Sequence, residues 1–149
     1  MNITFDTTAL IKGILEPRRK KQDVIFKEQT RMHKIASSML ENVYNGNDAL
    51  FIPLVAAIEI AAVASRLTGR ADIGRKNAEF VRSISAIVGE NELYSEAVSI
   101  AAETKISGFD AVFIACAKAT NSVLITDDRK MHEAAAKVGV ASKMLREMA

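Results

Sequence analysis

Four acidic residues stand where carboxylates could work together: Asp6, Glu59, Asp110 and Asp128. Asp6 closes a short β-prone run, Asn2 to Phe5. Asp110 opens a helix after the break Ser107-Gly108, and Asp128 follows the apolar run Ser122 to Thr126. Each of these three suits a helix cap. Glu59 is less ordinary. It sits in PLVAAIEIAAVASRL, apolar on nearly every side from Leu54 to Ala64, so both helix and glutamate are expected to be buried. A buried carboxylate is uncommon unless it is paired, here with Arg66, or holds a metal. Gathered at one edge of a sheet, such acids would repel and raise one another's pKa, and a divalent cation would relieve them. His33 and His132 have no metal-ligand spacing and Cys116 is alone, so the ligands would be oxygens, which points to Mg²⁺ or Mn²⁺ rather than zinc. A site of that kind suits phosphodiester hydrolysis. Thr126 is either a hydroxyl partner to a carboxylate there or an ordinary strand residue. Asp127, beside Asp128, leaves open which of the two points inward.

To bring these residues together, strands must end at a common edge. The stretch Ile106 to Met131 reads as turn, helix, turn, buried strand, turn, helix. Val112, Phe113, Cys116 and Ala117 recur at helical spacing. Asn121 suits a left-handed helix stop, and the run 122–126 is apolar throughout, as in an inner strand of a parallel sheet. The amino-terminal unit repeats the logic: strand, acidic turn, then a helix from Ala9 to Pro17. A helix is expected over 22–44, then a turn at 45–48, a strand at 50–52, and a helix starting at Pro53 and ending at Thr68-Gly69. A further helix is predicted over 73–88, a short strand at Glu92-Leu93-Tyr94, and a helix from Ser95 to Thr104. After the helix over 128–138, Val140-Ala141 reads as an edge strand and Ser142 as the start of a last helix. The pattern is α/β with helices outnumbering strands. Ligands in such folds bind at the carboxyl ends of the strands.

At 149 residues with 49% hydrophobic content, the chain suits one domain with a substantial core, residues 1–149 together. A net charge of +2 permits nucleic-acid binding without requiring it. The lone cysteine rules out a disulfide framework and fits a reducing interior, where Cys116 acts as a small hydrophobe. No signal peptide or membrane span is legible, so a soluble cytoplasmic protein is expected. The basic run Arg18-Arg19-Lys20-Lys21 is either a solvated loop or a contact for phosphates. Lys12, on the helix before it, with Arg18 and Arg19 are the candidate contacts for a nucleic-acid backbone.

FDTTALI, the glutamate in PLVAAIEIA, and FDAVFIACAKATNSVLITDDRKM, in this order and spacing, resemble a PIN domain, and within that family the VapC-type toxin ribonucleases. The resemblance covers essentially the whole chain. It implies a three-layer α/β/α domain around a short parallel sheet, with Asp6, Glu59, Asp110 and Asp128 gathered around Mg²⁺ or Mn²⁺ to cut RNA. Thr126 takes the hydroxyl place in Thr-x-Asp, and Thr8 a place commonly Ser or Asn. Asp127 occupies the variable place between Thr126 and Asp128, and with two adjacent acids the choice of ligand between Asp127 and Asp128 stays open. The resemblance also implies a homodimer and a small antitoxin partner whose tail enters the acidic groove. The long basic segment 17–45 departs from many short toxins, and PIN domains also serve in RNA maturation without an antitoxin. On the residues alone, a receiver-like or non-catalytic binding module and a nuclease of structured DNA are the rival readings.

Overall fold

Short strands at the centre and long helices outside describe this chain, whose computed structural model covers residues 1–149. In chain order the elements are β1 (Asn2–Phe5), α1 (Thr7–Ile14), α2 (Val24–Tyr44), β2 (Ala49–Pro53), α3 (Leu54–Thr68), α4 (Ala71–Ile84), β3 (Ser85–Val88), α5 (Glu90–Thr104), α6 (Gly108–Ala119), β4 (Val123–Thr126), α7 (Arg129–Lys137) and β5 (Ser142–Met144), with a closing 3₁₀ turn at Leu145–Glu147. The five strands form one sheet in the order β3-β2-β1-β4-β5, and every pairing is parallel. Parallel neighbours need crossovers, and crossovers are right-handed. The chain moves one way from β1 to β3 and the other way from β3 to β5, so α1 to α4 cover one face and α5 to α7 the other. This is the expected three-layer α/β/α arrangement around a short parallel sheet.

The sheet interior is built from the residues that read as apolar runs. Ile3, Phe5, Leu50, Ile52, Leu124 and Ile125 are all essentially inaccessible, as are Phe113, Ile114 and Cys116 on α6. Burial pushes the Cys116 thiol up to about 12, the behaviour of an inert core residue.

Helix α3 packs closely on α4. At their crossing, a Cβ on Gly74 would stand 2.5 Å from the carbonyl oxygen of Ala61 and 2.0 Å from Ser65 Oγ, so only glycine allows this approach.

Several boundaries differ from the sequence expectation. The predicted helix over 73–88 stops at Ile84, and Ser85–Val88 is the edge strand β3. The apolar spacing runs on past the break without interruption, but the Ser85 hydroxyl donates to the Val81 carbonyl and closes the helix. Glu92-Leu93-Tyr94 is not a strand but lies in the first turns of α5. The last strand falls at Ser142–Met144 rather than Val140-Ala141, and only a 3₁₀ turn follows it. Helix α3 is not buried all round. Only Ala56, Ile60 and Ala64 are fully covered, while Leu54 and Ile58 are 48% and 63% exposed. Ala61 and Ser65 meet Gly74 of α4, while Leu54 and Ile58 face outward. No helix is long and apolar enough to cross a membrane.

Candidate metal centre

The order of strands reverses between β1 and β4, the place where open α/β sheets bind ligands. Phe5 lies opposite Ile125, and the amide of Asp6 donates to the Ile125 carbonyl at 3.0 Å. This register sets Asp6 level with Thr126. Asp6 is 4% exposed. Its Oδ1 accepts from the Ala9 amide at 2.8 Å, capping α1, and its Oδ2 accepts from the Thr126 hydroxyl. Thr126 Oγ1 in turn accepts from the Asp128 amide at 3.0 Å. Asp128 Oδ1 caps α7, accepting from the amides of Lys130 at 2.8 Å and Met131 at 3.3 Å. Thr126 is therefore a connector between two acidic turns.

Asp110 comes from the other helical layer. It was expected as a cap, but Ser107 holds that role, its Oγ accepting from the Asp110 amide at 3.1 Å. The Asp110 carboxylate is thereby free of helix duty. Burial pushes the Asp6 carboxyl up from its ordinary 3.8 to about 6. The bonds from Thr126 and Ala9 pull against this, and the charges of Asp128 and Asp110 add to it. Asp110 is raised as well, first by desolvation and then by the charge of Asp128, with Ser107 opposing. Asp6, Asp110 and Asp128 thus form one field of mutual repulsion at the sheet edge.

The remaining expected residues are not part of that field. Glu59 is not buried. Its side chain is 36% exposed and lies 3.6 Å from Arg66, because it shares the outward side of α3 rather than its alanine stripe. Asp127 points away from Asp6. Its carboxylate, 6% exposed, lies 2.5 Å from Lys12 Nζ and 2.8 Å from Arg146 Nε. Burial would push Asp127 up, but the hydrogen bonds from Arg146 and Lys12 outweigh it and hold the carboxyl below its usual range. Lys12 is therefore committed to an internal ion pair rather than presented to a ligand. Arg19 is clamped by Asp23 through Nε at 3.0 Å and Nη2 at 2.7 Å. Arg18 is exposed beside Glu16 and Pro17. Thr8 is exposed, while its neighbour Thr7 is buried and its hydroxyl has no partner.

The sequence reading missed a groove of about 390 Å³ against Asp110, walled by Lys105, Ser107, Lys130, Glu133 and Lys137. The spacing 130, 133, 134, 137 is one helical stripe and was visible in the sequence. That it faces Asp110 depends on how α7 packs.

No three Asp, Glu, His or Cys side chains stand close enough to share one ion. The donor chemistry nevertheless fits a hard cation. Asp6 and Asp110 are oxygen donors whose carboxyls are raised chiefly by burial and further by neighbouring negative charge, and the Thr7 hydroxyl beside Asp6 is unpartnered. Mg²⁺ is commonly held by one or two carboxylates, with water and substrate phosphates completing its shell.

Comparison with known proteins bears on the family and the fold. A family model described as "PIN domain" matches residues 3–137. VapBC-1 from nontypeable Haemophilus influenzae is similar in structure, with a TM-score of 0.64 and 18% identity over 99% of this chain and 100% of that one. VapBC2 from Rickettsia felis, bound to a DNA fragment from its promoter, matches with a TM-score of 0.61 and 13% identity over 97% and 98%. A toxin-antitoxin complex from Klebsiella pneumoniae matches with a TM-score of 0.58 and 21% identity over 87% and 89%. At these identities the likeness is one of fold. No curated protein matches by sequence.

Proposed function

This chain belongs to the PIN domain family, and on that premise we propose that it is a metal-dependent endoribonuclease acting as the toxin of a VapBC-type pair. The observation that carries the proposal is the repelling set Asp6, Asp110 and Asp128 at the switch point, with Thr126 tying two of them together. Asp6 and Asp110 hold Mg²⁺ or Mn²⁺, and Asp128 adds charge from the α7 cap. Glu59, paired with Arg66, acts from outside this group. When bound, the ion stabilises charge on the phosphoryl and leaving oxygens and makes water a better nucleophile.

The chain's own residues do the rest. The Ala9 amide and Thr126 hydroxyl fix the rotamer of Asp6, leaving its remaining lone pairs for the ion. Near pH 6 and below, Asp6 holds a proton on its carboxyl, so its carboxylate would be open to a cation chiefly above that pH. Ser107 sets the first turn of α6 and with it the position of Asp110.

Two partner assignments belong to the same reading. A homodimer is supported by exposed apolar pairs one turn apart, Leu54 with Ile58 on α3 and Tyr94 with Val98 on α5. An antitoxin partner is supported by the toxin-antitoxin neighbours of the same fold. The exposed basic run Arg18 to Lys21 favours one alternative, an RNA-processing nuclease without an antitoxin.

The test is digestion of RNA and DNA oligomers side by side with Mn²⁺ or Mg²⁺. RNA cleavage that stops with chelator and with Asp6→Asn supports the proposal. Equal cleavage by Asp6→Asn overturns it.

A further inference from the structure

We propose that the groove between the α5–α6 connection and α7 carries the RNA backbone on the Asp110 side of the cut, with Lys105, Lys130 and Lys137 as its phosphate contacts. The inference rests on the nuclease reading and adds to it a path for the strand. Of the cations that the sequence suggested, Lys12 is held by Asp127 and Arg19 by Asp23, while Arg18 is exposed.

The groove has two walls. One is the segment Thr104 to Ser107, and the other is the α7 stripe Lys130, Glu133, Ala134 and Lys137, with Asp110 where they meet. None of the three lysines takes part in an ion pair, whereas Lys12, Lys118, Arg129 and Arg146 all do. Opposing them are Glu133 and Asp110, so three cations face two carboxylates along the groove. Lys130 and Lys137 lie two turns apart, about 10 Å along the helix axis. The Lys130 backbone amide donates to Asp128, so the residue that carries this cation starts from the acidic turn itself.

Lys105 supplies an independent observation. It caps α5 in the left-handed region at φ +62, where a glycine is the easier residue. The cap does not need a lysine side chain, and the ammonium stands free at the mouth of the groove.

The experiment measures binding of a short labelled single-stranded RNA to the full chain in chelator, where no cutting occurs, across a salt series. Lys105→Ala, Lys130→Ala and Lys137→Ala should each weaken binding by roughly three- to tenfold at low salt and reduce the log–log salt slope by about 0.7. Lys76→Ala, on α4 in the other helical layer, removes the same charge and should leave the slope unchanged. Lys105→Gly should weaken RNA binding as Lys105→Ala does, while its melting temperature holds or rises. Unchanged slopes in the three groove variants, or losses equal to that of Lys76→Ala, overturn the proposal. So does a groove variant that keeps RNA affinity but loses a co-purified acidic partner chain, which would assign the face to protein docking. These results are independent of cleavage, so failure of the groove and failure of the nuclease reading are read in separate assays.

Discussion

Thr126 donates its hydroxyl hydrogen to Oδ2 of Asp6, 120 positions away in sequence. Thr126 Oγ1 in turn accepts from the Asp128 amide. One side chain therefore fixes two of the three acids that repel one another, and it does so because the β1–β4 register sets Phe5 against Ile125. Valine has nearly the same shape but neither bond. Thr126→Val should cost about 1–3 kcal/mol by chemical denaturation, since it leaves a buried carboxylate and an amide short of partners. Cleavage should fall with it. Thr126→Ser keeps both bonds and should retain most activity. A serine variant as impaired as the valine variant would assign Thr126 to packing alone.

The raised Asp6 carboxyl makes the metal-free protein pH-sensitive. Between the ordinary 3.8 and the folded value of about 6, the folded chain holds more proton than the unfolded one. Stability from this group is thus fully present below about pH 4 and is lost as pH rises through about 6. The loss is on the order of 3 kcal/mol, from about 1.4 kcal/mol for each tenfold change in proton affinity. Melting in chelator across this range, compared with Asp6→Asn, should show the parent losing ground to the variant as pH rises. Parallel curves would show that burial does not strain Asp6.

Asp6→Asn isolates the charge from the cap. Asparagine caps helices about as well as aspartate, so the bond to the Ala9 amide survives, and its amide nitrogen faces Thr126 Oγ1 as a donor in place of the accepting Oδ2. In chelator at neutral pH the variant should be more stable than the parent by roughly 1–3 kcal/mol. Millimolar Mn²⁺ should raise the parent's melting temperature and leave the variant's in place. If both respond equally to the ion, Asp6 is not a ligand.

Two adjacent acids, alike in the sequence, are given different tasks by the fold. Asp127 joins Lys12 of α1 to Arg146 of the last turn, while Asp128 faces the site and caps α7. Asp127→Ala should cost about 1–3 kcal/mol, because it strands Lys12, with Arg146 discounted for its exposure. Its cleavage per folded molecule should stay near that of the parent. Asp128→Asn should cost under about 0.5 kcal/mol, since asparagine keeps the cap, yet lower cleavage sharply. The reverse pattern in melting and activity assays would exchange the two roles.

These cases show where the sequence is readable and where it is not. Asp6, Thr126 and Asp128 were legible because strand ends and turns are local, and a parallel sheet brings its strand ends to one edge. Asp127 was ambiguous because its direction is decided by cations 115 and 19 positions away. Strand β3 was hidden because its apolar residues continue the period of α4 across Ser85. The lysine groove was missed because Lys105 owes its place to a left-handed cap, and the α7 stripe owes its direction to packing. In α3 the apolar surface exceeds what the core takes in, so composition alone put Glu59 on the wrong side.

That misplacement leads to the last prediction. Glu59 shares the open side of α3 with Ile58, and its carboxylate lies 3.6 Å from Arg66. A pair this exposed contributes under about 1 kcal/mol, so Glu59→Gln should leave the melting temperature nearly unchanged. The charges acting on Asp6 are those of Asp128 and Asp110, so removing Glu59 should leave the Asp6 pH response as it is. If Glu59 acts only through solvent, Glu59→Gln should slow RNA cleavage by less than roughly tenfold, where Asp6→Asn and Asp110→Asn each cost roughly a hundredfold or more. Arg66→Ala frees the glutamate and should leave metal affinity unchanged. A loss in Glu59→Gln as deep as in Asp6→Asn, or tighter Mn²⁺ binding in Arg66→Ala, would show that Glu59 swings off Arg66 to join the ion, and that the ion-bound site differs from the metal-free arrangement at α3.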